Sequence, residues 1–208
     1  MPDFARDAER PGATKVALRN RLLALRRSKT PEDLTLAASL VQSALAAHVR
    51  RSSPSVIAAY VPMGSEPGGP ELPEVIRLAA RTTALLLLPV LLPDRDLDWA
   101  GYEGPSSLRP GARGLMEPAG PRLGTAAIAR ADLVVVPALA VDRYGVRMGR
   151  GGGSYDRALA RVPVTAFTVA LLHDGELLDA VPAEPHDRRV RAAITPAQGL
   201  NDALDWTK

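Results

Sequence analysis

The sequence contains no cysteine. That removes disulfides, thiolate metal sites and thiol nucleophiles from consideration, and it suits a reducing compartment. Aromatic residues make up only 4% of the chain: two Trp, two Phe and four Tyr. Proteins that stack bases need exposed rings in groups, and no such group occurs here. Lysine is almost missing, with Lys15, Lys29 and Lys208 set against a background of arginine. Long apolar runs are missing too. The two longest, residues 84–92 and 133–141, are interrupted by Pro89 and Pro137. Neither approaches the ~20 residues that a membrane span needs. The first twelve residues are charged and lack the apolar stretch of a signal peptide. The three histidines, His48, His173 and His186, have no metal-ligand spacing and read as surface or packing residues.

What is present is an ordinary globular composition. The chain has 208 residues, 46% of them hydrophobic and 24% charged, enough for one domain with a proper core. The pI is near 9.6, yet the net charge is only +3. The arginines are scattered among acids, which describes a mixed solvated surface rather than a nucleic-acid footprint. The expectation is a disordered leader over residues 1–12, then a single α/β domain over 13–208. It is expected to be a monomer in the cytoplasm, with no nucleic acid or membrane partner.

Over residues 13–27 apolar residues recur at helical spacing: Val16, Leu18, Leu22 and Leu25. Thr30, Pro31, Glu32 and Asp33 then read as the start of a second helix. Its apolar face is Leu34, Ala37, Ala38, Val41 and Leu45. Residues 56–61 and 84–88 read as strands flanking a short helix at 73–81. That β-α-β unit favours a parallel sheet with a right-handed crossover. A short strand is expected at 97–102, a buried one at 133–136, a glycine-rich loop at 137–153 and a short helix at 155–161. Strands at 164–171 and 190–194 follow. The fold class is α/β: a single three-layer domain with a mostly parallel central sheet and helices on both faces.

The most informative segment runs from Val136 to Asp156, leaving a buried strand and entering a helix. Ligands bind at such places in open α/β sheets. Gly149, Gly151, Gly152 and Gly153 allow a ligand to touch the backbone, and Arg147 and Arg150 add guanidinium groups. Consecutive amides, arginines and a helix start together suit phosphate. A Walker A loop is absent. A dinucleotide fingerprint would read Gly149-x-Gly151-x-x-Ser154, with Asp174 as the ribose acid. Such a fingerprint begins directly after its strand, whereas about a dozen residues separate Val136 from Gly149.

The segment resembles the 5-formyltetrahydrofolate cyclo-ligase family. The likeness runs through Pro137, Val141-Asp142, Gly145, Arg147-Met148-Gly149, Gly151 to Gly153 and Tyr155-Asp156. Lys15, Leu18 and Arg19 resemble the family's N-terminal motif, and Tyr60, Pro62 and Glu66 a strand end. Leu88-Pro89, Glu117-Pro118, Pro182 with Asp187, and Ile194-Thr195 continue it in order. Three positions depart. Ser154 replaces a tyrosine, Arg191 a common aspartate, and Arg113 an aromatic.

The resemblance implies ATP- and Mg²⁺-dependent cyclisation of 5-formyltetrahydrofolate to 5,10-methenyltetrahydrofolate, releasing ADP and phosphate. It implies ATP contacts from Lys15, Arg19, Arg147, Met148, Gly149, Arg150, Gly151, Gly152, Gly153, Ser154 and Tyr155. Arg147 and Tyr155 take catalytic roles. Val61, Met63 and Glu66 meet the folate, and Asp156 and Asp187 hold the metal. Ser154 is also a candidate helix cap. Two other functions compete: an NAD(P)-dependent oxidoreductase, and a folate- or nucleotide-binding regulator without turnover.

Overall fold

The computed structural model describes residues 11–184 and 187–202. In chain order the elements are α1 (Pro11–Arg27), α2 (Pro31–Ser52), β1 (Val56–Ala58), α3 (Leu72–Ala79), β2 (Leu85–Leu91) and β3 (Leu97–Gly101). Then come β4 (Leu108–Pro110), β5 (Met116–Pro118), β6 (Leu133–Pro137), β7 (Ala140–Asp142), β8 (Arg147–Met148) and α4 (Ser154–Leu159). The last are β9 (Phe167–Leu171), β10 (Leu177–Leu178), β11 (Ala192–Thr195) and β12 (Gly199–Asn201). Because α1 starts at Pro11, that residue and Gly12 belong to a helix and not to a disordered leader. Residues 1–10 lie outside the described residues, as does His186.

α2 begins as its sequence dictates. Asp33 N–H donates to Thr30 Oγ1 at 3.1 Å, and Thr30 N–H donates back to Asp33 Oδ2 at 3.3 Å. Two otherwise orphaned donors are satisfied by this reciprocal cap, and Pro31 sits where no N–H is needed. The helix stops at Ser53, which turns left-handed at φ +47°.

The central sheet has seven strands in the order β12-β11-β9-β6-β1-β2-β3. Its interior pairings are parallel, and only the edges, β11 with β12 and β2 with β3, are antiparallel. The strands are apolar on both faces, as a sheet covered on both sides requires. Ile57, Leu86, Leu133, Val135, Val169, Leu171 and Ile194 point to one core with Val41, Leu45 and Val49 of α2 and Leu72 and Ile76 of α3. Their neighbours Ala58, Leu87, Val134, Val136, Ala170 and Ala193 point to the other, against Ile128 and against Ala158 and Leu159 of α4. Helices therefore cover both faces. Among the described residues no helix is long and apolar enough to cross a membrane.

Three departures from the sequence reading matter. β2 continues through Pro89. Beyond Leu87 it has outrun β1, and the opposing Trp99 carbonyl accepts from Leu123 N–H at 2.8 Å, so no bond to a Pro89 N–H is missed. The segment 137–153 is not a plain loop, because β7, β8 and β10 form a separate small sheet. Asp142 organises its turn, accepting from the Tyr144 and Val146 amides at 2.9 Å each. Finally, α1 packs Leu22 on that small sheet with Leu139, Val146 and Met148. Val16 and Leu25 face solvent, because the face that α1 buries also carries Lys15 and Arg26.

Two buried histidines make stability pH-dependent. His48 stacks on Phe167 at 4.5 Å, and His173 is fully enclosed. Burial lowers both pKa values below the ordinary 6.5, with the Arg51 charge adding to the effect at His48. The unfolded chain therefore binds protons that the folded chain refuses. Their contribution is fully present above the ordinary histidine value and is lost as pH falls through the lowered folded values. Urea unfolding should give level stability between pH 7 and 8 and a clear decline toward pH 5.5. His48→Gln should remove part of that decline. Equal stability at pH 7.5 and 5.5 would contradict this account.

Candidate functional site

The strand order reverses at β1, whose neighbours β6 and β2 carry the chain away in opposite directions. The loops leaving β1 and β6 consequently diverge at their carboxyl ends and leave a crevice. A cavity of about 610 Å³ lies there. Tyr60, Val61, Met63 and Glu66 line it from the β1 side, and Pro137, Ala138 and Leu139 from the β6 side. Lys15 and Arg19 of α1, residues 149–156, and Glu184 with Asp187 complete the polar wall. The structure thus brings together every site residue expected from the sequence except one. Met148 does not line the cavity. Strand alternation in β8 turns its side chain into the core beneath α1 while Arg147 faces the cavity.

The glycines are used for two different reasons. Gly151 and Gly153 have φ of +92° and +71°, which side-chain-bearing residues rarely adopt. At Gly149 space is tight: a Cβ there would lie 2.9 Å from Arg147 Nη1, so that guanidinium would have to shift. Arg19 holds the loop from above, its Nε–H donating to the Gly149 carbonyl at 3.2 Å. The helix that follows, α4, is only six residues long. The guanidinium groups of Arg19, Arg147 and Arg150 carry positive charge on this wall. Gly153 is the cap residue and Ser154 the first helical one, with no side-chain capping bond. Ser154 is therefore not the helix cap.

Arg147 is 3% exposed, and its fork is already engaged. Nη2 donates to Asp156 Oδ1 at 2.6 Å, and Nη1 to the Pro137 carbonyl at 3.1 Å. Each of those nitrogens keeps a second N–H, and Nε–H is a buried donor with no partner among the described residues. The Tyr155 hydroxyl is a second buried group in that condition. Burial, then the nearby Glu66 carboxylate, push the Tyr155 phenol far above its ordinary pKa, partly offset by Arg147. It stays protonated and able to donate. Unpartnered buried polar groups are rare and call for an explanation. Two on one cavity wall point to a ligand with acceptor oxygens.

Glu66 Oε2 accepts from the Met63 amide at 2.9 Å, and Oε1 lies 3.3 Å from Arg150. Lys15 Nζ donates to Asp187 Oδ2 at 2.6 Å and to Glu184 Oε2 at 2.8 Å. Burial opposes the Lys15 ammonium, but those two bonds outweigh it and raise its pKa above the ordinary lysine value. No group of three or more His, Asp or Glu side chains suited to a metal occurs among the described residues.

Sequence reasoning missed the support beneath this wall. Arg26 makes paired bonds to both Glu176 oxygens at 2.7 Å each and donates to the Ala138 carbonyl at 2.6 Å. Glu176 Oε2 also accepts from the His173 amide, and His173 Nε2 lies 2.9 Å from the Ser65 carbonyl. The network joins α1 to the loops after β1, β6 and β9. Its signal was available: Lys15, Arg19, Leu22 and Arg26 recur at helical spacing. Asp174, the acid a dinucleotide site would need, accepts from the Ala197 amide at 3.0 Å and does not line the cavity. Arg191 also lies elsewhere, donating to the Val164 carbonyl.

Comparison with known proteins agrees with this arrangement. The profile of the 5-formyltetrahydrofolate cyclo-ligase family matches residues 11–196. A 5-formyltetrahydrofolate cyclo-ligase of Mycolicibacterium smegmatis is 45% identical over 150 residues, covering 69% of this chain and 75% of that protein. One from Escherichia coli is 36% identical over 72 residues, covering 34% and 40% respectively. Among solved structures, the 5,10-methenyltetrahydrofolate synthetase of Aquifex aeolicus superposes with a TM-score of 0.76 at 27% identity. That match covers 92% of this chain and 93% of the other. A synthetase from Mycoplasma pneumoniae shares the fold at a TM-score of 0.67 and 17% identity, over 86% and 96%. On the family match and the Mycolicibacterium relative together, this chain belongs to the 5-formyltetrahydrofolate cyclo-ligase family.

Proposed function

We propose that this chain converts 5-formyltetrahydrofolate to 5,10-methenyltetrahydrofolate, using one ATP. The observation that carries the reading is the pair of unpartnered buried groups, Arg147 Nε and Tyr155 OH, beside the glycine loop. A formamide oxygen is a poor leaving group. Its attack on the γ-phosphorus of ATP expels ADP and converts it to a phosphate ester. N10 of the folate then attacks the activated formyl carbon, phosphate leaves, and the N10 proton is lost. No side-chain nucleophile is required. The protein's part is alignment and stabilisation of charge on the transferring group.

In this reading the loop amides of 149–153, with Arg19, Arg150 and Lys15, hold the triphosphate. Arg147 and Tyr155 donate to oxygens that gain charge during transfer. Ser154 and the backbone beside it border the nucleotide. Glu66 accepts from pterin N–H groups, and Val61 and Met63 flank the pterin ring. In this reading the chain acts as a monomer with a single catalytic domain and takes no nucleic acid or membrane partner. The cytoplasm suits its substrates and its lack of cysteine.

The donor set also suits Mg²⁺. The ion prefers oxygen ligands and takes only one or two carboxylates when phosphates supply the rest. Asp156 and Asp187 are both on the cavity wall, and Asp156 Oδ2 has no protein partner among the described residues. When bound there, the ion neutralises phosphate charge. Arg147 and Lys15 hold the two carboxylates in position. Asp156→Asn should raise the Mg²⁺ concentration needed for half-maximal turnover, and Asp187→Asn should do so less strongly. Titration curves superimposable on wild type would remove both from the metal site.

The direct test is incubation of purified protein with 5-formyltetrahydrofolate, ATP and Mg²⁺. The conjugated amidinium product should absorb in the near ultraviolet, with one ADP formed per product. No signal under varied metal, pH and ATP would reject the enzyme reading and favour a binding regulator. Protection by NAD(P) instead of ATP would favour the oxidoreductase.

A further inference from the structure

The cavity has a second wall that the chemistry above leaves unused. Leu91, Leu97, Leu115 and Met116 make it apolar, and it ends at Arg113 in the turn between β4 and β5. Arg113 has φ +57°, in the left-handed region that favours glycine. The turn is held in that shape. Gly111 N–H donates to the Leu115 carbonyl at 2.7 Å, and Leu115 N–H to the Ala112 carbonyl at 3.1 Å. Glu117 ties the hairpin to β2 by accepting from the Leu91 amide at 3.0 Å. The turn also adjoins the proposed pterin side, since a Cβ on Gly114 would lie 3.8 Å from Met63 Cε.

Charge pairing divides the cations of this cavity, and Arg113, like Arg19 and Arg95, has no acidic partner among the described residues. Lys15, Arg147 and Arg150 on the same cavity each pair with an acid. Arg113 is exposed, and its guanidinium has no hydrogen bond or acidic partner among the described residues. It also stands where the family resemblance places an aromatic ring. A ring there offers stacking area; an arginine offers a planar, permanently charged fork suited to carboxylate.

A folate is apolar along its benzoyl ring and doubly anionic at its terminal glutamate. The wall offers the same two chemistries, an apolar strip and an exposed, unpaired cation. We propose that Arg113 binds the glutamate carboxylates of the folate substrate, with Leu91, Leu115 and Met116 against the benzoyl ring. The proposal rests on the cyclo-ligase reading and adds to it a recognition site for the substrate tail.

The test compares 5-formyltetrahydrofolate with an analogue whose glutamate is replaced by an uncharged methylamide. Initial rates and titration calorimetry are measured on wild type, Arg113→Asn and Arg113→Lys. Asparagine tolerates the left-handed turn, so the backbone is kept while the charge is removed. Wild type should show a KM and Kd roughly 10-fold higher for the analogue, the scale of a charged hydrogen bond. Arg113→Asn should lose this discrimination by weakening only the glutamate-bearing substrate, with kcat and the KM for ATP unchanged. Arg113→Lys should restore part of it, and added salt should shrink it. The proposal is overturned if wild type does not discriminate, if Arg113→Asn weakens both ligands equally, or if the KM for ATP moves instead. Binding without turnover rejects the cyclo-ligase reading while calorimetry still judges Arg113. Binding of neither ligand overturns both.

Discussion

Replacing Arg147 by alanine should lower kcat/KM by roughly 100- to 1,000-fold, the range seen when a single buried donor to a charged transition state is deleted. The expectation rests on its unpartnered Nε–H, while each terminal nitrogen gives one N–H to Asp156 or to the Pro137 carbonyl. Those two bonds hold the guanidinium plane, so in the proposed reaction Nε–H would meet the transferring phosphoryl group without reorganising. The substitution also strips Asp156 of its partner, and that consequence has to be separated from loss of the donor. In an Asp156→Asn background the partner is no longer charged. If Arg147 acts on the ligand, Arg147→Ala should still cost most of the same factor there. A loss confined to the Asp156 background of wild type would make Arg147 only a support for that carboxylate. Arg147→Lys should rescue poorly, because a lysine cannot bond two protein acceptors and also keep an N–H in the Nε position.

Replacing Glu176 by alanine should destabilise the fold by about 3–5 kcal/mol, the usual cost of leaving one member of a buried ion pair alone. The side chains of Arg26 and Glu176 are 1% and 6% exposed, so water cannot take the place of the lost partner. For a chain of this length the melting temperature should fall by on the order of 10 °C. Because the network also holds the His173 amide and the Ala138 carbonyl, α1 should loosen against the loops after β6 and β9. The decisive comparison is the double variant Arg26→Met with Glu176→Leu. Replacing both charges by apolar groups should recover a large part of the stability. A double variant as unstable as the sum of the singles would mean that the network's remaining bonds, and not the unpaired charge, set the cost.

The elements of local origin were legible in the chain. The Thr30–Asp33 cap, the helix it starts, and the buried strands at 56–58, 85–88, 133–136 and 167–171 follow from short-range spacing and propensity. The glycine block was legible as a site because its glycines and arginines are adjacent in sequence. Local spacing failed where burial was decided by a distant partner. Leu25 fits an apolar stripe with Leu18 and Leu22, yet α1 turns Lys15 and Arg26 inward and leaves Leu25 exposed. Nothing near those residues in sequence names Glu176, Glu184 or Asp187 as the acids that make their burial tolerable. The small β7-β8-β10 sheet escaped notice for a related reason: β8 and β10 are two residues each and exist only through pairing with β7.

The sequence by itself determined the layered class, the family and the residues around the phosphate loop. Short-range spacing and side-chain chemistry survive in a linear string, and they suffice for those features. Only the tertiary structure decided which groups of those residues remain available to a ligand. It tied each terminal nitrogen of Arg147 to a protein acceptor, turned Met148 into the core, and left Arg147 Nε, Tyr155 OH and Arg113 without partners among the described residues. The reason is physical. A polar group's availability is set by what lies within about 3 Å of it, and those neighbours come from segments far apart along the chain.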